Sequence, residues 1–148
     1  MQDGDLEQVV AIERLVQSHA WSAIQFQDAL ASYQCTVYAQ AHQVLGFCIL
    51  QLVLDEANSL LMAIHPSEQG KGLGYALLDH SIAQLKNSPI QIFLEVRESN
   101  KAAIALYEKS GFHQIDLRKN YYPNVDGSKE HAIIMVKTCT DDFAALFQ

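Results

Sequence analysis

Residues 69–74, Gln-Gly-Lys-Gly-Leu-Gly, are the stretch whose types and spacing point most directly to chemistry. They follow an apolar run at 60–64 and lead into a stripe of leucines, so they read as a turn between a strand and a helix. Gly70, Gly72 and Gly74 permit tight turning and close approach of a ligand. The first N–H groups of a helix have no partner within it and sit at the positive end of its dipole. Such a turn is a ready site for a phosphate or pyrophosphate, although the same glycines also suit an ordinary strand-to-helix turn. Three phosphate chemistries compete. Nucleoside-triphosphate binding requires GxxxxGK[ST], but Lys71 is followed by Gly72. A dinucleotide site wants GxGxxG, but position 75 is Tyr. The third is a cradle for the pyrophosphate of coenzyme A.

The 148 residues, 49% of them hydrophobic, suffice for one domain, 1–148, with a sizeable core. A net charge of −7 without a dense basic block speaks against a nucleic-acid footprint and is compatible with a cationic partner such as a basic peptide. The acidic N-terminus does not read as a signal peptide, and no apolar run approaches the roughly 18 residues of a membrane span. Cys35, Cys48 and Cys139 form no CxxC and read as reduced thiols of a cytoplasmic protein. The six histidines show neither HExxH nor a paired spacing, so no metal is expected. A monomer is the expectation for the oligomeric state.

The elements that must position the glycine turn can be read in order. Helical periodicity covers 6–19, and Ser22 with Gln25 forms a capping box opening a short helix to about Ala31. Residues 33–40 and 44–54 read as a hairpin, Asp55-Glu56-Ala57-Asn58 as a turn, and 60–64 as a third strand. After the glycines, Leu73, Leu77, Leu78, Ile82 and Leu85 make one helical stripe, stopped by Asn87-Ser88-Pro89. A strand at 90–96 then completes a parallel crossover unit. Asn100 or Ser99 caps a helix over 101–110, and Gly111 ends it. Strands follow at 112–118 and 131–138, with 120–130 as a polar loop carrying an Asp-Gly turn. The tail at 139–148, with Phe143, Leu146 and Phe147, fits either a docked helical turn or a frayed end. The result is an α+β domain, a mixed and mostly antiparallel sheet of about seven strands with about four helices.

Residues 69–74 resemble the acetyl-CoA signature Q/R-x-x-G-x-G/A of the GNAT superfamily of N-acetyltransferases, with Gln69, Gly72 and Gly74 at its defined positions. The segment LEVRESNKAAIALYEKSGF at 94–112 resembles the later region of that superfamily. With NYYP at 120–123 and AIIM at 132–135, it is most similar to the branch that acetylates ribosomal-protein alanine, namely the N-terminal alanine of small-subunit protein S18.

The resemblance implies the acyl-CoA N-acyltransferase fold, with acetyl-CoA as cosubstrate and a basic protein N-terminus as acceptor. Another N-terminus, a lysine side chain or a small amine are alternative acceptors, and a non-catalytic acyl-CoA-binding domain is an alternative role. By the same resemblance, the strand holding Met62, Ala63 and Ile64 splays from the strand holding Glu95. The pantetheine arm would enter that gap and pair with backbone of Met62 and Ile64. Amides of Gln69, Gly70, Lys71, Gly72, Leu73 and Gly74 would wrap the pyrophosphate, and Asn100 would touch the pantetheine end. Gly70 stands where arginine is common, leaving Lys71 as the local cation. Glu95 matches the general base, and Tyr107 the general acid beside the coenzyme. Trp21, Tyr121 and Tyr122 are candidates to line a peptide groove, since aromatics give large contact areas with polar handles. Arg118 and Lys119 read as solvated charge.

Overall fold

The computed structural model describes residues 1–86 and 88–139. The chain runs α1 (Leu6–Val16), α2 (Ala23–Ser32), β1 (Gln34–Gln40), β2 (Gln43–Val53), β3 (Glu56–Ile64), α3 (Leu73–Ala83), β4 (Gln91–Arg97), α4 (Lys101–Lys109), β5 (His113–Pro123) and β6 (Lys129–Thr138). The strands form one sheet in the order β1-β2-β3-β4-β6-β5, in which only β3 and β4 are parallel. The α+β class and the four α-helices among the described residues match the sequence reading.

Three features differ from that reading. Six strands are present among the described residues, not about seven. β3 starts at Glu56, because residues 56–59 find partners on both β2 and β4 and the turn contracts to Leu54-Asp55. β5 runs on through Pro123, so Tyr121 and Tyr122 lie on a strand and not in a loop. The tail from residue 140, and Asn87 of the helix stop, lie outside the described residues.

Alternation along β2 splits the core in two. Phe47 and Ile49 face one side, where Val9, Val10 and Ile12 of α1 and Phe26 of α2 pack on them. Cys48 and Leu50 face the other, where Leu77 and Leu78 of α3, Tyr107 of α4 and Leu94 and Val96 of β4 gather. The expected capping box starts α2: Ser22 Oγ accepts from Gln25 N–H (3.3 Å), and Gln25 Oε1 accepts from Ser22 N–H (2.8 Å).

What shapes the site is a failure of pairing. β3 and β4 are in register only from Glu56 opposite Gln91 to Ser59 opposite Leu94. Opposite Ile49 of β2 sits Leu61, and opposite Leu50 sits Ser59, so Leu60 is an extra residue bulged out of β3. A bulge bends its strand and increases its local twist. Beyond it β3 stays on β2 as far as Ile64, while β4 stays on β6 as far as Arg97 opposite Ala132. The two strands part between them.

Candidate active site

The gap opens into a groove of about 1790 Å³ that extends to both faces of the sheet. On the β3 side the backbone faces the gap. His65 N–H donates to Leu45 O (2.8 Å), which fixes the phase of the β2–β3 ladder. Antiparallel pairs alternate between bonded and non-bonded, so Ala63, opposite Phe47, turns its amide to β2. Met62 and Ile64 turn theirs to the opposite edge, into the gap. The Ile64 carbonyl there accepts from Gln69 Nε2 (3.1 Å), tying the glycine turn to the end of β3. Of the three β3 residues proposed for the coenzyme, Met62 and Ile64 thus present backbone to the gap, and Ala63 does not.

Gly70 and Gly72 take φ of +81° and +82°, and a Cβ on either would meet nothing within 4 Å. Backbone conformation, not crowding, selects glycine there. Gly74 serves differently: a Cβ on it would stand 3.0 Å from Leu106 Cδ2, so its absence lets α3 and α4 approach closely. The first helical bond of this turn runs from Ala76 N–H to Gly72 O (3.2 Å), and the amides of Leu73, Gly74 and Tyr75 precede it at the dipole's positive end. Gln69, Gly70, Gly72, Leu73 and Gly74 line the groove; Lys71 is not among its lining residues and pairs with Glu68 (3.0 Å). These open amides fit a bound diphosphate. Asn100 lines the groove while its Oδ1 caps α4 through Ala103 N–H (3.2 Å).

Tyr107 and Glu95 line the same groove from opposite sides of the sheet. Tyr107 belongs to the α3–α4 core and meets the Phe112 ring edge-on at 5.8 Å. Burial pushes its hydroxyl well above the ordinary tyrosine range, so it holds its proton. Glu95 lies between buried Leu94 and Val96 on β4, and alternation sends its side chain to the other face. There its Oε1 pairs with Arg118 (3.1 Å).

The wall on Glu95's face is built from side chains. Arg97 holds Glu130 Oε1 (2.9 Å), Asn124 Oδ1 (3.1 Å) and Pro123 O (3.0 Å), and lies over the Tyr122 ring at 4.7 Å. Arg118 lies over the Tyr121 ring at 5.4 Å, and the two tyrosines meet edge-on at 5.0 Å. Burial, followed by the nearby Glu95 charge, pushes the Tyr122 hydroxyl up to about 12. The Arg97 hydrogen bond holds the Glu130 carboxyl below its ordinary range. Across the groove, the Trp21 ring rests on Phe26 (5.4 Å), and the Trp21 backbone N–H donates to Glu13 Oε2 (3.0 Å). Glu13 is fully buried, its Oε1 has no protein partner, and burial raises its carboxyl.

All three candidate groove aromatics, Trp21, Tyr121 and Tyr122, therefore line this groove. Sequence reading missed Arg118, Arg97, Glu130 and Glu13. The sequence reads Arg118 as solvated charge, whereas its guanidinium pairs with Glu95. Nothing local marks its pairing with Glu95, which depends on strand register; buried Glu13 is the one residue with a local signal, a carboxylate on the apolar stripe of α1.

This fold, an α+β sheet parted beside a glycine turn, is that of an acyl-CoA N-acyltransferase. Residues 6–112 match the acetyltransferase (GNAT) family, and the chain belongs to that family. It is 42% identical over 133 residues to the [ribosomal protein bS18]-alanine N-acetyltransferase of Haemophilus influenzae, covering 88% of this chain and 90% of that one. To the Escherichia coli K12 enzyme of the same name it is 43% identical over 136 residues, covering 88% and 89%. The crystal structure of the Escherichia coli ribosomal-protein-S18-alanine N-acetyltransferase superposes with a TM-score of 0.87 at 40% identity, covering 95% of this chain and 91% of that one.

Proposed function

We propose that this chain transfers the acetyl group of acetyl-CoA to the α-amino group of the N-terminal alanine of ribosomal protein S18. The observation that carries the acceptor is its likeness, along nearly nine-tenths of its length, to enzymes with that activity. Bound acetyl-CoA supplies an acyl thioester. The amides of Met62 and Ile64 and those at 72–75 hold it, with the thioester between Glu95 and Tyr107.

Glu95 takes a proton from the acceptor amine, directly or through one water. An α-amino group with a reference pKa near 7.7–8.0 costs only about 1 kcal/mol to deprotonate at neutral pH, against about 4–5 for lysine, so a carboxylate suffices. The amine nitrogen bonds to the acyl carbon, the carbon–sulfur bond breaks, the proton of Tyr107 goes to the departing thiolate, and the second proton left on nitrogen passes through water to the tyrosinate, restoring Tyr107. Burial that raises the tyrosine also raises the proton affinity of a thiolate in the same pocket, which keeps that transfer accessible. The chain acts as a soluble cytoplasmic monomer in this reading.

Mass-spectrometric acetylation assays with acetyl-CoA and a peptide panel test it. Modification confined to the N-terminal alanine of the S18 peptide is expected. Preference for internal lysine or a polyamine reassigns the acceptor, and no transfer at all favours a binding domain.

A further inference from the structure

The register of β5 against β6 carries the inference. Arg118 sits opposite Ala132, and Tyr122 opposite Glu130, so four steps on β5 span two on β6. The two extra residues form a wide irregularity in which Asn120 takes φ +54° and its N–H donates to His131 Nδ1 (3.0 Å). On a regular strand, residues three apart point to opposite faces. Here the bulge turns Tyr121 under Arg118, and the guanidinium lies over its ring.

Arg118 is thereby fixed from below and reaches Glu95 Oε1 at 3.1 Å, leaving Oε2 outside this contact. A glutamate side chain has several rotatable bonds, and one that is 31% exposed is not held by packing alone. An ion pair this exposed contributes little to stability, so orientation is what it can supply. We propose that Arg118 is the positioning residue of the reaction: it clamps one oxygen of Glu95 so that the other meets the acceptor amine or its bridging water. This rests on the reading of Glu95 as general base.

A double-mutant cycle tests the coupling, with kcat and both KM values measured on the intact enzyme. Arg118→Ala is expected to lower kcat by roughly ten- to a hundredfold, up to the scale of a misplaced catalytic group, with KM for acetyl-CoA within about twofold of wild type. Arg118→Lys, which keeps the charge and guards against any folding defect of the alanine variant, recovers at least half of that loss on a logarithmic scale. In a Glu95→Gln background, Arg118→Ala has no further effect. Should Glu95→Gln lower kcat while Arg118→Ala leaves it within twofold, the positioning role is overturned and the base survives. Equal losses from Arg118→Ala in both backgrounds also overturn it, since Arg118 then acts elsewhere. If Glu95→Gln itself leaves kcat unchanged, the base reading fails and this role with it.

Discussion

The two halves of the groove are made of different material. On the β3 and α3 side the working groups are backbone amides, exposed because a bulge at Leu60 parts two strands and because α3 begins at a left-handed glycine. On the β5 and β6 side they are side chains, a lattice of Arg97, Glu130, Arg118, Glu95 and two tyrosines. A backbone surface reads features that every acyl-CoA shares, such as a diphosphate and an amide-bearing arm. A side-chain surface is where one acceptor can be told from another. On the function proposed above, donor recognition and acceptor recognition are separable in this fold, and substitutions should separate them.

Tyr107 stands where the halves meet, and its substitution should have the largest effect. Tyr107→Phe should lower kcat by roughly 10²-fold or more while both KM values stay close to wild type, because only proton transfer to the thiolate is lost. Steady-state kinetics checks this, and a rate within twofold of wild type would remove the acid role. Gly72→Ala comes next. A side chain at φ +82° costs roughly 1–2 kcal/mol, so KM for acetyl-CoA should rise up to about tenfold with KM for the peptide unmoved. A matched rise in both would mean that the halves are not separable.

The smallest effect is on stability and has opposite signs at two carboxylates that line the groove, Glu13 on α1 and Glu130 on β6. Burial raises Glu13 in the fold, so its charged form is penalised once pH passes the unfolded carboxyl range. Glu13→Gln keeps an oxygen for Trp21 N–H and removes that penalty, so its melting temperature relative to wild type should climb as pH rises from about 4 and then level off. Glu130 is lowered by Arg97, so its stabilisation is present above the unfolded range and is lost as pH falls through the folded value. Relative to wild type, Glu130→Gln should therefore be least damaging in acid. Thermal melts across pH measure both; parallel curves for the two variants would contradict the assignment.

The same division decided what the sequence could reveal. The backbone of the proposed donor half was legible because it leaves a local trace: glycines where φ must be positive, a capping Asn100, an apolar strand on each side of the turn. Which amides of β3 turn to the gap could not be read there, because the phase of the ladder, which turns the Ala63 amide to β2 although Ala63 lines the groove, is not written in a run of apolar residues. On the acceptor side, the tyrosines of 120–123 were visible, but their strand was taken for a loop, since Asn, Pro and Gly nearby mimic turn chemistry. Arg118 lies 23 positions from Glu95, and the pairing of both their strands with β6, Arg118 opposite Ala132 and Glu95 opposite Ile134, brings its guanidinium to the carboxylate. Register of that kind is a property of two strands together, so neither alone records it.

Amide chemical-shift titration of the uniformly labelled protein with coenzyme A probes the donor surface most directly. Met62, Ile64 and the amides at 72–75 should shift together and saturate with one affinity, while Ala63 and residues 120–131 stay near their free positions. Saturable binding that leaves Met62, Ile64 and the first turn of α3 unmoved would contradict a coenzyme site built from that backbone.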